Sequence, residues 1–246
     1  IPFFSTAVTE DWIPFLNNNT KVIKIASGDI TFEPTIRAAA KTEKAVILST
    51  GGANMQEIRK AIGWFEESSK NKEIKNKLIL MHCISAYPAS LEGANLNSIK
   101  FLQEQTGLYV GYSNHVKGIL APVVSIALGA SLIEVHFTDS RDDKIFHDHH
   151  LSLVPSELKE LSMSASNIKK SLGSYDKFCS EPEKNNLLAL RKGIIAAHNI
   201  PKGQVIEKKD LMYARPSNEV DSSKIMTILG KKPTCNIESG QLISYN

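Results

Sequence analysis

The side chains here that could bind a metal or move a proton are unevenly spaced. Four of the seven histidines lie in "EVHFTDSRDDKIFHDHHLSL", and His115 lies in "YSNH" upstream. His147, His149 and His150 sit in a densely charged stretch with neither helix nor strand period. Nothing in that pattern would hold them in coordination geometry, so the expectation is a solvated lid. His115 and His136 instead follow two consecutive apolar runs, "LYVGYS" and "LIEVHF". Neighbouring strands lie about 4.8 Å apart, so two imidazoles at their ends could share one divalent metal. Water and substrate oxygens would take the remaining positions of a Lewis-acid site. A hydrogen-bonded histidine pair without metal is the alternative. Glu134, two residues before His136, points to the same side of its strand. His82, inside an apolar run, reads as a satisfied core histidine, and His198 as a surface residue.

A second set of residues suits an anion. Six apolar runs end in "STA", "ASGD", "STGG", "CISAY", "YSNH" and "HFTD". They place Thr6, Ser27, Asp29, Ser49, Ser85, Tyr87 and Ser113 at run ends, with Lys24 just inside one of them. Hydroxyls, open backbone and a lysine cradle phosphate or carboxylate. Ser, Thr and Gly also end strands for turn chemistry alone, and Lys24 could serve a Schiff-base aldolase.

The elements that must position these groups follow from pattern. The runs "IPFFST", "VIKIAS", "AVILST", "LILMHC", "LYVGYS" and "LIEVHF" are β-rich and nearly continuous, as in a parallel sheet buried on both faces. Helix-like stretches lie between them, with Asn54 at an N-cap position, Gly107 and Gly129 at helix ends, and Pro155 opening a last helix. Repeated βαβ units predict an α/β fold. Residues 1–172 read as a partial (β/α)8 TIM barrel lacking its first two βα units, with an open doubly wound sheet as the alternative. Residues 173–186 are polar and read as a linker. Residues 187–246 read as a small β-rich domain with an internal echo, "NIPKGQVI" and "NIESGQLI".

Composition narrows the function. The chain has 246 residues, 42% hydrophobic and 22% charged, and a net charge of +3. That balance gives a globular core and no electrostatic footprint for nucleic acid. No apolar run approaches the ~20 residues of a membrane span. Cys83, Cys179 and Cys235 are odd in number and far apart, which fits a reducing, cytoplasmic setting. Ile1 is followed at once by a strand-like run without signal-peptide features, so the expectation is a processed chain or one that begins inside a fold.

The blocks "KIASGD", "ILSTGG", "MHCISAYP", "VGYSNHVKGI", "ALGASLIEVHFT" and "RKGIIAAHNIPKGQVIEKKDLMYARPSN", in this order, resemble the sialic acid synthase family, which makes N-acetylneuraminate, legionaminate and pseudaminate. The resemblance covers nearly the whole chain. It implies a TIM barrel followed by a C-terminal SAF (antifreeze-like) domain. It also implies a transferase of sialic acid biosynthesis that condenses phosphoenolpyruvate with an N-acetylhexosamine, such as N-acetylmannosamine, and releases phosphate. It makes His115 and His136 ligands of a divalent metal, Mn2+ with Mg2+ or Co2+ as alternatives, which polarises the sugar aldehyde. Lys24, Asp29 and Glu134 fall at catalytic positions, and Thr6, Ser27, Ser49 and Ser113 at phosphoenolpyruvate contacts. Ser85, Tyr87 and Asp148 fall on the sugar side. Arg215 would reach the sugar pocket of the other subunit in a domain-swapped homodimer. The sequence departs from the family pattern at Asp29 (more often Glu), Asn114 (often Asp) and "IFHDHH" (usually "PGPDH"). The family's first two strands, which carry a lysine and an acidic residue, are not among these residues, so weak or no turnover is expected of the 246 residues alone. An inactive remnant or binding protein is the remaining alternative.

Overall fold

The computed structural model describes residues 2–70, 73–218 and 220–244. The chain divides into two compact units, Ile1–Gly173 and Ser174–Asn246.

In the first unit, six strands form one parallel sheet in sequence order: β1 (Ser5–Thr6), β2 (Val22–Ile25), β3 (Ala45–Ser49), β4 (Leu78–His82), β5 (Tyr109–Asn114) and β6 (Ile133–Val135). Helices α1 (Ile13–Asn19), α2 (Glu33–Lys41), α3 (Met55–Ser68), α4 (Asn97–Thr106) and α5 (Leu120–Ala127) connect them, and α6 (Pro155–Leu172) closes the unit. Local chemistry sets the helix ends. Asn54 Oδ1 accepts from the Gln56 and Glu57 amides, and Glu57 returns a bond to the Asn54 amide, a capping box that starts α3. Gly107 ends α4 with φ of 69°, a left-handed conformation that favours glycine.

Strand order excludes the doubly wound alternative, because no reversal provides a switch point. Right-handed crossovers in one direction put every helix on one face. Ile23, Ile25, Val46, Leu48, Leu78, Leu80, Val110 and Tyr112 face those helices and pack with Ile36, Ile58, Phe65 and Ile99 in one core. The register puts the alternate residues on the other face: Thr6, Lys24, Ile47, Ser49, Met81, Gly111, Ser113 and Glu134. A Cβ on Gly111 would lie 2.4 Å from Met81 Sδ and 2.6 Å from Leu132 O, so only glycine fits there. The sheet also curls. In a flat sheet β2 and β6 would stand about 19 Å apart, beyond the joint reach of a lysine and a glutamate. Lys24 Nζ nevertheless lies 3.3 Å from Glu134 Oε2.

The segment after β6 is exposed at Asp142, Asp143, Ile145 and Phe146, as a solvated lid would be, yet it is folded. Residues 147–150 form a 3-10 turn. The Leu153 amide donates to His136 O (2.8 Å) and the Thr138 amide to Leu153 O (2.9 Å), closing the loop onto the strand it leaves.

The second unit begins its order earlier than a linker at 173–186 implies. Helix α7 (Glu181–Leu190) starts inside that stretch, where the Ser180 amide and hydroxyl both donate to Glu183 Oε2, at 2.8 and 2.7 Å. Strands β7 (Gly193–Ala196) and β8 (Leu211–Ala214) pair antiparallel over a core that includes Ile194, Ile200, Ile206, Val220 and Ile243. The internal echo has a structural meaning. Ile200 and Ile237 exchange both backbone bonds, at 2.8 and 2.9 Å. Asn236 Oδ1 accepts from the Lys202 amide (2.9 Å) and Asn199 Oδ1 from the Ser239 amide (2.8 Å). Each repeat's asparagine thus caps the other repeat's turn, a local two-fold relation. No helix among the described residues is long and apolar enough to cross a membrane.

Candidate active site

The inner face of the sheet turns polar toward its C-terminal ends. Lys24 is buried, with Nζ 3.4 Å from Glu134 Oε1 and 3.3 Å from Oε2. Ser113 Oγ donates to Glu134 Oε1 at 2.8 Å. A cation and a hydroxyl from β2 and β5 thus converge on one carboxylate of β6. Thr6 pairs in register with Lys24 and is exposed, while Ser49 ends β3 buried on the same face. Beyond β2, Ser27 Oγ accepts from the Gly51 amide (3.0 Å) and lies 3.1 Å from Cys83 Sγ. A Cβ on Gly51 would approach Ser85 Oγ to 2.5 Å, Cys83 Sγ to 2.8 Å and Ser27 Oγ to 2.9 Å. The ends of β2 and β4 therefore close around that glycine, which itself follows β3. Gly51 and Cys83 are site neighbours to which the sequence reading gave no role. The signal lay in the alternation of Met81, Cys83 and Ser85, which puts the thiol on the inner face.

Beside this cradle stand two imidazoles. The rings of His115 and His136 lie 5.3 Å apart between centroids, inclined at 66°. His115 Nδ1 is 2.6 Å from Ile84 O. A carbonyl only accepts, so Nδ1 carries the proton and Nε2 presents a lone pair. Burial pushes the His115 pKa down and His136 adds to this, outweighing the upward pulls of the Ile84 carbonyl, Glu134 and Asp148. His136 Nδ1 lies 3.5 Å from Asp148 Oδ2. The Tyr87 ring stacks 4.1 Å from His115 and 5.9 Å from His136. Burial raises the Tyr87 phenol pKa, with further upward pulls from Cys83, Asp148 and Glu134.

Other candidates stand apart. Asp29, half-buried in the turn after β2, makes none of these contacts. Arg215 belongs to the second unit, where Nε donates to Leu190 O at 2.6 Å. Asn114 lies on the helix-facing side: Nδ2 donates to Val116 O (2.7 Å), and Oδ1 accepts from the Val116 amide (3.2 Å) and the Tyr112 hydroxyl (3.1 Å). The Asn114 position therefore uses a donor that aspartate lacks. His149 Nδ1 is 3.0 Å from Thr138 Oγ1, which anchors it within the loop. The side chain of His147 lies outside the described residues. His82 is the core histidine expected, with Nε2 2.8 Å from Ala94 O. Among the described residues, no group of three or more His, Cys, Asp or Glu is arranged to hold a metal.

Known proteins share this arrangement of sequence. The NeuB family matches residues 1–177 and the SAF domain residues 191–246. An uncharacterized protein of Methanocaldococcus jannaschii is 38% identical over 100% of this chain, which covers 72% of its length. The N,N'-diacetyllegionaminic acid synthase of Campylobacter jejuni is 36% identical over 99% of the chain and 72% of its own length. Among solved structures, the N-acetylneuraminic acid (sialic acid) synthetase of Leptospira borgpetersenii, in complex with citrate, superposes with a TM-score of 0.69 at 34% identity, covering 76% of this chain and 63% of that one. With matches that run from the first strand of the curled sheet through the two-fold β unit, the chain belongs to the NeuB family and ends in a SAF domain.

Proposed function

We propose that the protein condenses phosphoenolpyruvate with an open-chain N-acetylhexosamine, either N-acetylmannosamine or a diacetamido analogue, to form a sialic acid-type nine-carbon 2-keto acid and phosphate. The observation that carries this is the meeting of a lysine-and-hydroxyl cradle with an imidazole pair at one end of a parallel sheet. The names of the relatives, acid synthases of this type, support it. We take the curled six-stranded sheet to be part of a (β/α)8 barrel, whose active sites sit where strands end.

In this reading Lys24, Thr6, Ser27, Ser49 and Ser113 hold the phosphate and carboxylate of phosphoenolpyruvate. Lys24 and Ser113 already converge on one carboxylate, that of Glu134, so their donors point at a common anionic locus. Tyr87, Ser85 and Asp148 line the sugar side, and Arg215 completes it from the partner in a domain-swapped homodimer. C3 of phosphoenolpyruvate bonds to the aldehyde carbon, whose oxygen gains a proton. Water then adds at C2, and the bond from C2 to the phosphate oxygen breaks. One water proton balances the new hydroxyl and the other leaves with phosphate. Glu134, accepting from both Lys24 and Ser113, is the group to which we assign the relay of the first proton. Asp29, though outside the cluster, is kept as a second acid for this step. Holding both reactants in register supplies much of the rate.

The residues fit a divalent ion as two of its ligands. The Ile84 carbonyl fixes His115 with Nε2 free, the outer-shell arrangement that orients a ligating imidazole, and neutral imidazoles ligate divalent transition ions, of which the family resemblance implies Mn2+. When bound, such an ion would polarise a carbonyl oxygen as a Lewis acid. The ion pair of Lys24 with Glu134 speaks against a Schiff-base nucleophile, which would have to leave that pair. A cytoplasmic location fits the free cysteines and a substrate of central metabolism.

The test is phosphate release by the full-length gene product, with phosphoenolpyruvate and each of several aminosugars. The expected result is one phosphate per keto acid formed, abolished by chelator, with no lysine adduct trapped by borohydride. No release with any aminosugar, or a trapped Lys24 adduct, would overturn the proposal.

A further inference from the structure

The loop that carries Asp148 to His136 is held by a set of bonds that converge on one arginine. Arg141 Nε and Nη2 both donate to Ser152 O, at 3.0 and 2.8 Å. The same Nη2 donates to Glu157 Oε2 at 2.5 Å, and that oxygen also accepts from the Val154 amide at 3.0 Å. Ser152 in turn grips the turn of interest: its amide and its hydroxyl both donate to Asp148 O, at 3.0 and 2.8 Å. One residue further, the Leu153 amide is tied to His136 O. The chain of contacts therefore runs from α6 through Glu157, Arg141 and Ser152 to Asp148, and ends 3.5 Å from His136. Arg141 and the Val154 amide hold the Glu157 carboxyl below its usual range, so the pair remains ionic at neutral pH. The bonds of Arg141 go to Ser152 and Glu157, so it acts on the site through the loop.

We propose that Arg141 is a positioning residue for the sugar half of the site: by pinning the Ser152 carbonyl it sets the turn that presents Asp148 beside His136. The proposal rests on the function argued above, which assigns Asp148 to the sugar side. It predicts a split effect, because the phosphoenolpyruvate cradle is built on β1, β2, β3 and β5 and does not use this loop. A lysine at 141 keeps the charge but cannot reproduce two N–H groups aimed at one carbonyl while a third bond goes to Glu157.

The experiment uses full-length Arg141→Lys and Arg141→Ala proteins, each checked for an unchanged melting transition of the rest of the fold. Without substrates, hydrogen exchange at the Leu151, Ser152 and Leu153 amides is measured by mass spectrometry. With substrates, both KM values are measured separately. The expected outcome is faster exchange at those amides and a KM for the aminosugar raised by about ten-fold or more, with the KM for phosphoenolpyruvate unchanged. Added guanidinium should recover part of the Arg141→Ala loss. Unchanged exchange, or two KM values that move together, would overturn the proposal. Should the wild type turn over no aminosugar, the proposed function falls, while the exchange rates still decide whether Arg141 pins the loop.

Discussion

Ile84 decides which nitrogen of His115 is available, and that backbone detail separates the two groups of histidines. The His115 ring is fixed with Nε2 free beside His136, whereas His149 is tied to a threonine hydroxyl. Replacing His115 or His136 by alanine should therefore abolish metal content after loading with Mn2+, and replacing His147, His149 and His150 together should leave it intact. Metal analysis of the desalted proteins checks both, and retention in His115→Ala would refute the pair as ligands. A second expectation concerns Gly51. The added methyl of Gly51→Ala would push into Ser27, Cys83 and Ser85 at once. A displacement of that order should lower kcat/KM by about 100-fold, seen in steady-state kinetics with the fold retained. At this scale the sequence was legible where strand alternation reaches: Lys24, Ser113 and Glu134 share a face because each sits at the proper parity. It was not legible where a side chain's direction depends on a turn. Asp148 meets His136 only because residues 147–150 close into a 3-10 turn.

Among the elements, β4 shows how one strand serves core and site together. His82 faces the helices and is buried with a bond to Ala94 O, while the next residue, Cys83, reaches Ser27. Desolvation lowers the His82 pKa from its ordinary 6.5, against upward pulls from the Ala94 and Asn95 backbone. The unfolded chain then binds more protons than the folded one just below that value. This contribution to stability is full above about pH 6.5 and is lost as pH falls toward the folded pKa. His115 acts with the same sign. Denaturant unfolding should thus show stability declining as pH falls from about 6.5 toward 5, with a shallower decline in His82→Leu. That variant should also be about 1–3 kcal/mol less stable at neutral pH, because the Ala94 carbonyl loses its buried partner. An equal pH slope in both proteins would remove His82 as the cause. The strands and most helices were readable because period and caps are local signals. The loop after β6 was not, since its order comes from Leu153 returning to His136 and from Arg141 reaching Ser152, pairings that no local period encodes. The start of α7 was hidden by a polar sequence whose cap, Ser180 with Glu183, is nevertheless a recognisable S-x-x-E signal.

For the whole molecule, the question is which chain supplies Arg215 to which site. The two units of one chain are separate compact bodies, and the inner-face cluster lies wholly in the first. Under the proposed domain-swapped homodimer, each site joins the sheet of one chain to the arginine of its partner. The consequence can be tested without any structural probe. A His136→Ala chain has a dead sheet site and an intact arginine, and an Arg215→Ala chain has the reverse. Each variant alone should be strongly impaired. Mixed in equal amounts and allowed to exchange subunits, about half of the dimers are hybrids. In each hybrid one site receives both lesions and the other receives none. The mixture should therefore recover about a quarter of wild-type activity. If Arg215 instead served the site of its own chain, every site in every dimer would carry one lesion and no activity would return. The recovered fraction should rise with time of exchange and vanish if the variants are mixed only in the assay cuvette. That time dependence separates subunit exchange from contamination by active enzyme, and a mixture that stays inactive after complete exchange would refute the swapped arrangement.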